Sequence, residues 1–140
     1  MIENGIVGLI NADPGVLAAL AGGVGGFGFD ELAKNLPLPS WAFRFFGGHV
    51  IPTLGGVGPK SFRWRRMEIH CMGSSADNTL TLAGAIDNVL SGFSGMLPDA
   101  SPGGTQVDSI IPSNSPIDFF DSAARSWRRV LEYQVWFRPS

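Results

Sequence analysis

Apolar side chains recur at helical spacing at the start of the chain, at Ile2, Ile6, Leu9 and Ile10, and predict a short helix over residues 2–12. Gly5 and Gly8 each weaken it by about 1 kcal/mol relative to alanine, so it needs tertiary support. Asp13-Pro14 restarts a helix, because the aspartate can cap free N–H groups and proline has none to leave unsatisfied in the first turn. Val16, Leu17 and Leu20 give this second helix its apolar side, and Gly22-Gly23 ends it. Residues 22–28 read as a glycine loop and 29–36 as a further helical turn. Leu36-Pro37-Leu38-Pro39 is extended, since a residue before proline is pushed out of the helical region.

Residues 41–46 read as a strand and 47–60 as a long Gly/Pro-rich connection or hairpin arm. Over 62–72 the pattern alternates: Met67, Ile69 and Cys71 on one face, Arg66, Glu68 and His70 on the other. The strongest helix spans 75–93, with Leu82, Ile86, Val89, Leu90 and Phe93 in one stripe and Ser74 with Asp77 resembling a capping box. A turn cluster at 98–104, a short strand at 106–111 and a loop at 112–126 follow. A long strand over 127–138 ends the chain, with Leu131, Tyr133, Val135 and Phe137 on one face. This order predicts one α+β domain over 1–140. An antiparallel or mixed sheet of about four strands carries one long helix across it, with short N-terminal helices beside it.

Composition sharpens this picture. Only 16% of the 140 residues are charged, against a usual ~25%. Ten Phe and four Trp accompany a single Tyr, so part of the surface is expected to be covered by partners. The net charge of −2 does not suit a general nucleic-acid binder. No segment reaches the ~18 to 20 apolar residues that span a bilayer. Met1-Ile2-Glu3-Asn4 lacks the basic region of a secretory leader. A soluble protein or part of an assembly, with no membrane contact, is expected.

Catalytic and cofactor signals are weak. Gly23 to Gly28 satisfies GxGxxG, but an Ala/Leu-rich helix precedes it where a dinucleotide site needs a strand, and no acidic ribose ligand follows. His70 and Cys71 are neighbours on a strand, so they point to opposite faces, and His49 is the only other histidine. Cys71 then reads as a small buried hydrophobe and His70 as an exposed polar residue. Gly92-Phe93-Ser94-Gly95 is one residue short of GxSxG and follows a helix. The expectation is no enzyme, no cofactor and no metal.

Arginines cluster at Arg63, Arg65 and Arg66, and again at Arg125, Arg128 and Arg129. Three readings are open: contact with DNA, a solvated strand face, and pairing across subunits with Glu68, Glu132, Asp118 or Asp121. Planar guanidinium groups suit interface ion pairs, which favours the last.

The two N-terminal helices, the arginine-rich strand Arg63-Trp64-Arg65-Arg66-Met67-Glu68-Ile69-His70-Cys71 running into a helix, and the terminal strand ending Tyr133-Gln134-Val135-Trp136-Phe137 together form a pattern. It resembles the small tail-completion, or tail-terminator, proteins of long-tailed bacteriophages and related prophage and gene-transfer particles. The resemblance covers nearly the whole chain. It implies a structural virion protein, a hexameric ring at the head-proximal end of the tail tube. That ring stops tube polymerisation and joins the tail to the head connector or adaptor, with DNA passing through its lumen without sequence-specific binding. The location implied is the virion tail or neck, reached through assembly in the host cytoplasm. Another neck component, a head-closure or adaptor protein, is the neighbouring reading, and a DNA-binding accessory domain is a third. A ring needs two different adhesive sides. The loops expected to supply them are 22–28, 47–60 and 112–126. The expected aromatic anchors are Phe27, Phe29, Phe119, Phe120 and Trp127, each of which could instead fold over its own sheet.

Overall fold

The computed structural model describes residues 2–20, 24–28, 38–50, 63–97, 105–122 and 125–139. In chain order the elements are α1 (Ile2–Asn11), α2 (Pro14–Leu20), β1 (Val24–Gly28), β2 (Ser40–Val50), β3 (Arg63–Gly73), α3 (Ala76–Leu90), β4 (Gly95–Met96), β5 (Thr105–Pro112), β6 (Ile117–Asp121) and β7 (Ser126–Pro139).

Alternation along β3 and β7 organises the molecule. The two strands pair antiparallel from Arg63 opposite Phe137 to Gly73 opposite Trp127. That register sets Met67 beside Tyr133 and Ile69 beside Leu131, so the apolar residues of both strands share one face. Helix α3 packs on β3 and β7. Its Leu82, Ile86 and Leu90 join Met67, Ile69, Cys71, Tyr133 and Val135 in the core. Ile6, Ile10, Val16 and Leu20 bring α1 and α2 into the same cluster. The other face carries Arg66, Glu68 and His70 from β3 and Glu132 and Gln134 from β7. There Trp64 lies directly opposite Trp136 with the rings stacked 6.1 Å apart.

The sheet runs β1-β2-β3-β7-β5-β4, and β6 pairs with β7 off that path. The far side of β7 is shared: β5 takes residues 133–139 and β6 takes 126–130. Each neighbouring pair is antiparallel except β1 with β2, which is parallel. This overturns the expected α+β layout of about four strands under one long helix. The described residues are mostly sheet, with seven strands and three short helices among them, of which α3 is the longest at 15 residues.

The extra strands arise where local pattern is silent. Residues 24–28 form β1 rather than a loop, and Gly25 presses against the buried Trp41 indole so closely that any Cβ would overlap the ring. Residues 117–121 form β6 inside the expected 112–126 loop. Smaller corrections follow. The N-cap of α3 is Ser75, whose Oγ accepts from Asn78 N at 3.2 Å, and Ser74 instead meets the Asn78 side chain. Gly92, at φ +80°, turns the chain out of α3 and donates its N–H to Ile110 O, tying the helix end to β5. Leu17 is exposed, not part of the apolar side of α2. His70 is buried rather than exposed, and Cys71 is buried as expected. β2 runs on to Val50, so the start of the expected 47–60 connection is strand, and the rest of it, the expected turn at 29–36 and the cluster at 98–104 lie outside the described residues.

Candidate interaction surface

Strands β6 and β7 form a hairpin whose outer strand is unusually apolar for its exposure. Ile117, Phe119, Phe120 and Trp127 are 62%, 41%, 50% and 40% exposed. Phe120 and Trp127 are directly opposite and meet edge-to-face at 5.2 Å. Among the described residues β6 pairs with β7 alone. Among those residues the other edge of its backbone carries no strand partner.

Two arginine pairs hold this hairpin. Asp118 sits opposite Arg129 and accepts from its Nη1 with both carboxylate oxygens, at 3.1 and 2.9 Å. Asp121 accepts from Arg128 Nη2 at 3.1 Å, and the Arg128 guanidinium also lies over the Phe119 ring, 5.7 Å from its centroid. Arg128 Nη1 lies 3.4 Å from His70 Nδ1, and His70 Nε2 is 2.6 Å from Glu68 Oε1. Burial drives the His70 pKa below its ordinary value of 6.5, against the upward pull of Glu68.

The second arginine cluster lies at the opposite end of β3, where residues 63–66 face residues 134–137. Arg66 donates from Nε to Glu132 at 2.9 Å and stacks on Phe46. Burial pushes the Glu132 carboxyl up, but hydrogen bonds from Asn114 and Arg66 outweigh it and hold the group below the usual carboxylate range. Arg65 lies over Phe45, 4.9 Å from the ring centroid, and Arg63 is half-buried at the start of β3. The carboxylates expected to receive arginines from a neighbouring copy are thus engaged within the chain. Hairpin register and cross-strand spacing bring them together, which sequence spacing cannot reveal.

Of the residues expected at an interface, the fold gathers Phe119, Phe120, Trp127, Arg128 and Arg129 on one hairpin, with Arg125 at its turn. It separates Arg63, Arg65 and Arg66 from them. Phe27 lies in β1 with its side chain outside the described residues, and Phe29 is outside them altogether.

A groove of about 280 Å³ opens beside the hairpin, between α3 and the β5–β6 connection. Leu80, Gly84 and Asp87 form its helical wall, and Arg129, Glu132 and Tyr133 its strand wall. The Tyr133 hydroxyl donates to Asp87 Oδ1 at 2.6 Å. Burial, reinforced by that carboxylate, raises the phenol's pKa well above its ordinary value. Sequence reading missed this groove and Ile117. The apolar Ile117, Phe119 and Phe120 within five residues were the available signal.

No family model matches the chain, and no curated protein does. Among solved structures, the fold is similar to that of a chain in the virion of a native gene transfer agent particle. The TM-score is 0.66 at 12% sequence identity, over 98% of this chain and 94% of that one. At that identity the likeness concerns the fold.

Proposed function

We propose that this protein is a non-catalytic, structural component of a phage-like virion. It forms a ring at the head-proximal end of the tail tube, ending tube polymerisation and presenting the surface to which the head connector attaches. The observation that carries the reading is the near end-to-end likeness to a chain of a gene transfer agent virion. The whole fold is shared, not one common substructure. The tail-terminator role adds the resemblance of the arginine-rich and terminal strands, and the exposed β6–β7 hairpin supplies the kind of adhesive side a closed ring requires. The ring is hexameric in this reading, its neighbours are the tube protein and the connector, and its place is the virion neck after assembly in the host cytoplasm.

DNA threads the lumen without being held. Arg66, Arg128 and Arg129 already pair with carboxylates of their own chain, which weakens any grip on phosphates. Negative-stain imaging of purified protein tests the proposal. Rings with a central hole that cap tail tubes are the expected result. A uniform monomer at high concentration, which leaves tubes growing, would overturn it.

A further inference from the structure

We propose that Arg125, at the turn of the β6–β7 hairpin, docks into the α3 groove of a second copy of this chain, its guanidinium meeting the Asp87 carboxylate and its aliphatic stem lying over Gly84. This rests on the copy-to-copy assembly proposed above and names the contact.

The argument starts from unmatched charge. Among the described residues, each carboxylate with a described side chain but one has a cation or a helix start to answer it. Glu68 has Arg44, Asp108 has Arg138, Asp118 and Asp121 have the hairpin arginines, and Glu132 has Arg66. Asp13 caps Val16 N, and Asp77 lies in the first turn of α3. The exception is Asp87, whose partner is a neutral tyrosine hydroxyl. It stands in the last turn of α3, where the helix presents its partial negative charge and the turn itself holds no basic residue, while Arg129 across the groove is engaged by Asp118. A cation arriving from outside would be favoured twice, by the carboxylate and by the helix end.

Arg125 is the complementary exception. It is exposed and makes no hydrogen bond, ion pair or ring contact among the described residues. Its backbone is left-handed, at φ 51°, a conformation in which glycine or asparagine would be at ease. It cannot serve its own Asp87. That carboxylate binds Tyr133, eight residues along the strand, a rise of about 26 Å and well beyond the reach of an arginine side chain.

Gly84 supplies an independent sign. A glycine in mid-helix costs stability, and a Cβ built there meets nothing within 4 Å, so nothing among the described residues demands its absence. A side chain of a neighbour entering the groove would use that space. At about 280 Å³ the groove is sized for one long side chain, and it falls at the lower limit of small-molecule sites.

Sedimentation of the full chain tests the pairing. Arg125→Gly relieves the left-handed backbone, and Asp87→Asn keeps an acceptor for the Tyr133 hydroxyl while removing the charge. Both are expected to keep wild-type melting or better, yet to weaken self-association at least about tenfold. Gly84→Trp, which fills the groove, should do the same. The charge-swapped pair Arg125→Asp with Asp87→Arg should recover association. If wild type assembles and these variants assemble equally well, the pairing is overturned and the ring stands. If wild type never leaves the monomer, ring and pairing fall together.

Discussion

Replacing Ile86 by alanine removes about three buried carbons from the centre of α3. Ile86 is fully buried and belongs to the cluster that joins the helix to β3 and β7. At about 0.8 kcal/mol per buried methylene the transfer loss is roughly 2.4 kcal/mol. The cavity left between a helix and a sheet that cannot fully collapse brings the total to about 3 kcal/mol, within the usual 2–5 for such changes. For a chain of this size that is a fall in melting temperature of roughly 10 °C. Leu80→Ala is the internal control, because Leu80 lies on the same helix but is 47% exposed and outside the core cluster. Its cost should stay within about 0.5 kcal/mol. Ile86→Asp, which places an unpaired carboxylate in the same site, should abolish folding. Urea titration of the two alanine variants with a common m-value is the assay. Equal losses at positions 80 and 86, or a loss below about 1 kcal/mol at 86, would show that this stripe does not face the core.

Burial raises the Cys71 thiol to about 12 despite the opposing charge of Arg129, so it should resist a maleimide until the protein unfolds; native-state labelling at the rate of a free thiol would refute its burial. Because desolvation holds the folded His70 pKa below 6.5, the unfolded chain binds the proton first, and stability present above that pH is lost as pH falls through and below it. His70→Gln should therefore flatten the acid limb of the stability curve, and parallel curves for the two proteins would count against the assignment. Charge reversal of Arg128 and Arg129 sets glutamates against Asp121 and Asp118, so amide exchange should accelerate in residues 117–121 while the β3–β7 ladder stays protected. Unchanged exchange in β6 would mean that those ion pairs do not hold the hairpin.

What the sequence revealed follows from where the physics is local. Strands β3 and β7 and helix α3 bury one face along many residues, so Met67, Ile69, Leu131, Tyr133, Leu82 and Ile86 announce themselves by period. β1 has no such signature. Val-Gly-Gly-Phe-Gly becomes a strand because β2 offers an edge and Gly25 can approach Trp41, and both conditions lie in distant residues. β6 is hidden for the opposite reason. Its apolar residues are exposed, so no inward face marks it, and Pro116 and two aspartates give it the look of a loop. The aromatic excess did single out Phe119, Phe120 and Trp127. The Asp87–Gly84 groove depends on how α3 lies against β7, which no spacing within either element encodes.

The arginines matter in this protein for what they free rather than for what they bind. Edge strands in soluble proteins are usually blunted by charge or proline, because an open apolar edge recruits other chains. In β6 the two aspartates that could do this are drawn toward β7 by Arg128 and Arg129. Ile117, Phe119 and Phe120 are left as the dominant features of a margin already fixed in strand geometry. A partner adding to that edge would meet a preformed strand and lose little ordering entropy in its formation. Among the described residues β1 ends the sheet on the other side, beyond β2 and β3 from β7. Two unlike margins on opposite sides of one sheet are the geometry that head-to-tail contact requires, and a self-complementary pair would need only one. In the ring proposed above, intrachain ion pairing would support assembly by keeping the β6 edge ordered and its aspartates neutralised by Arg128 and Arg129.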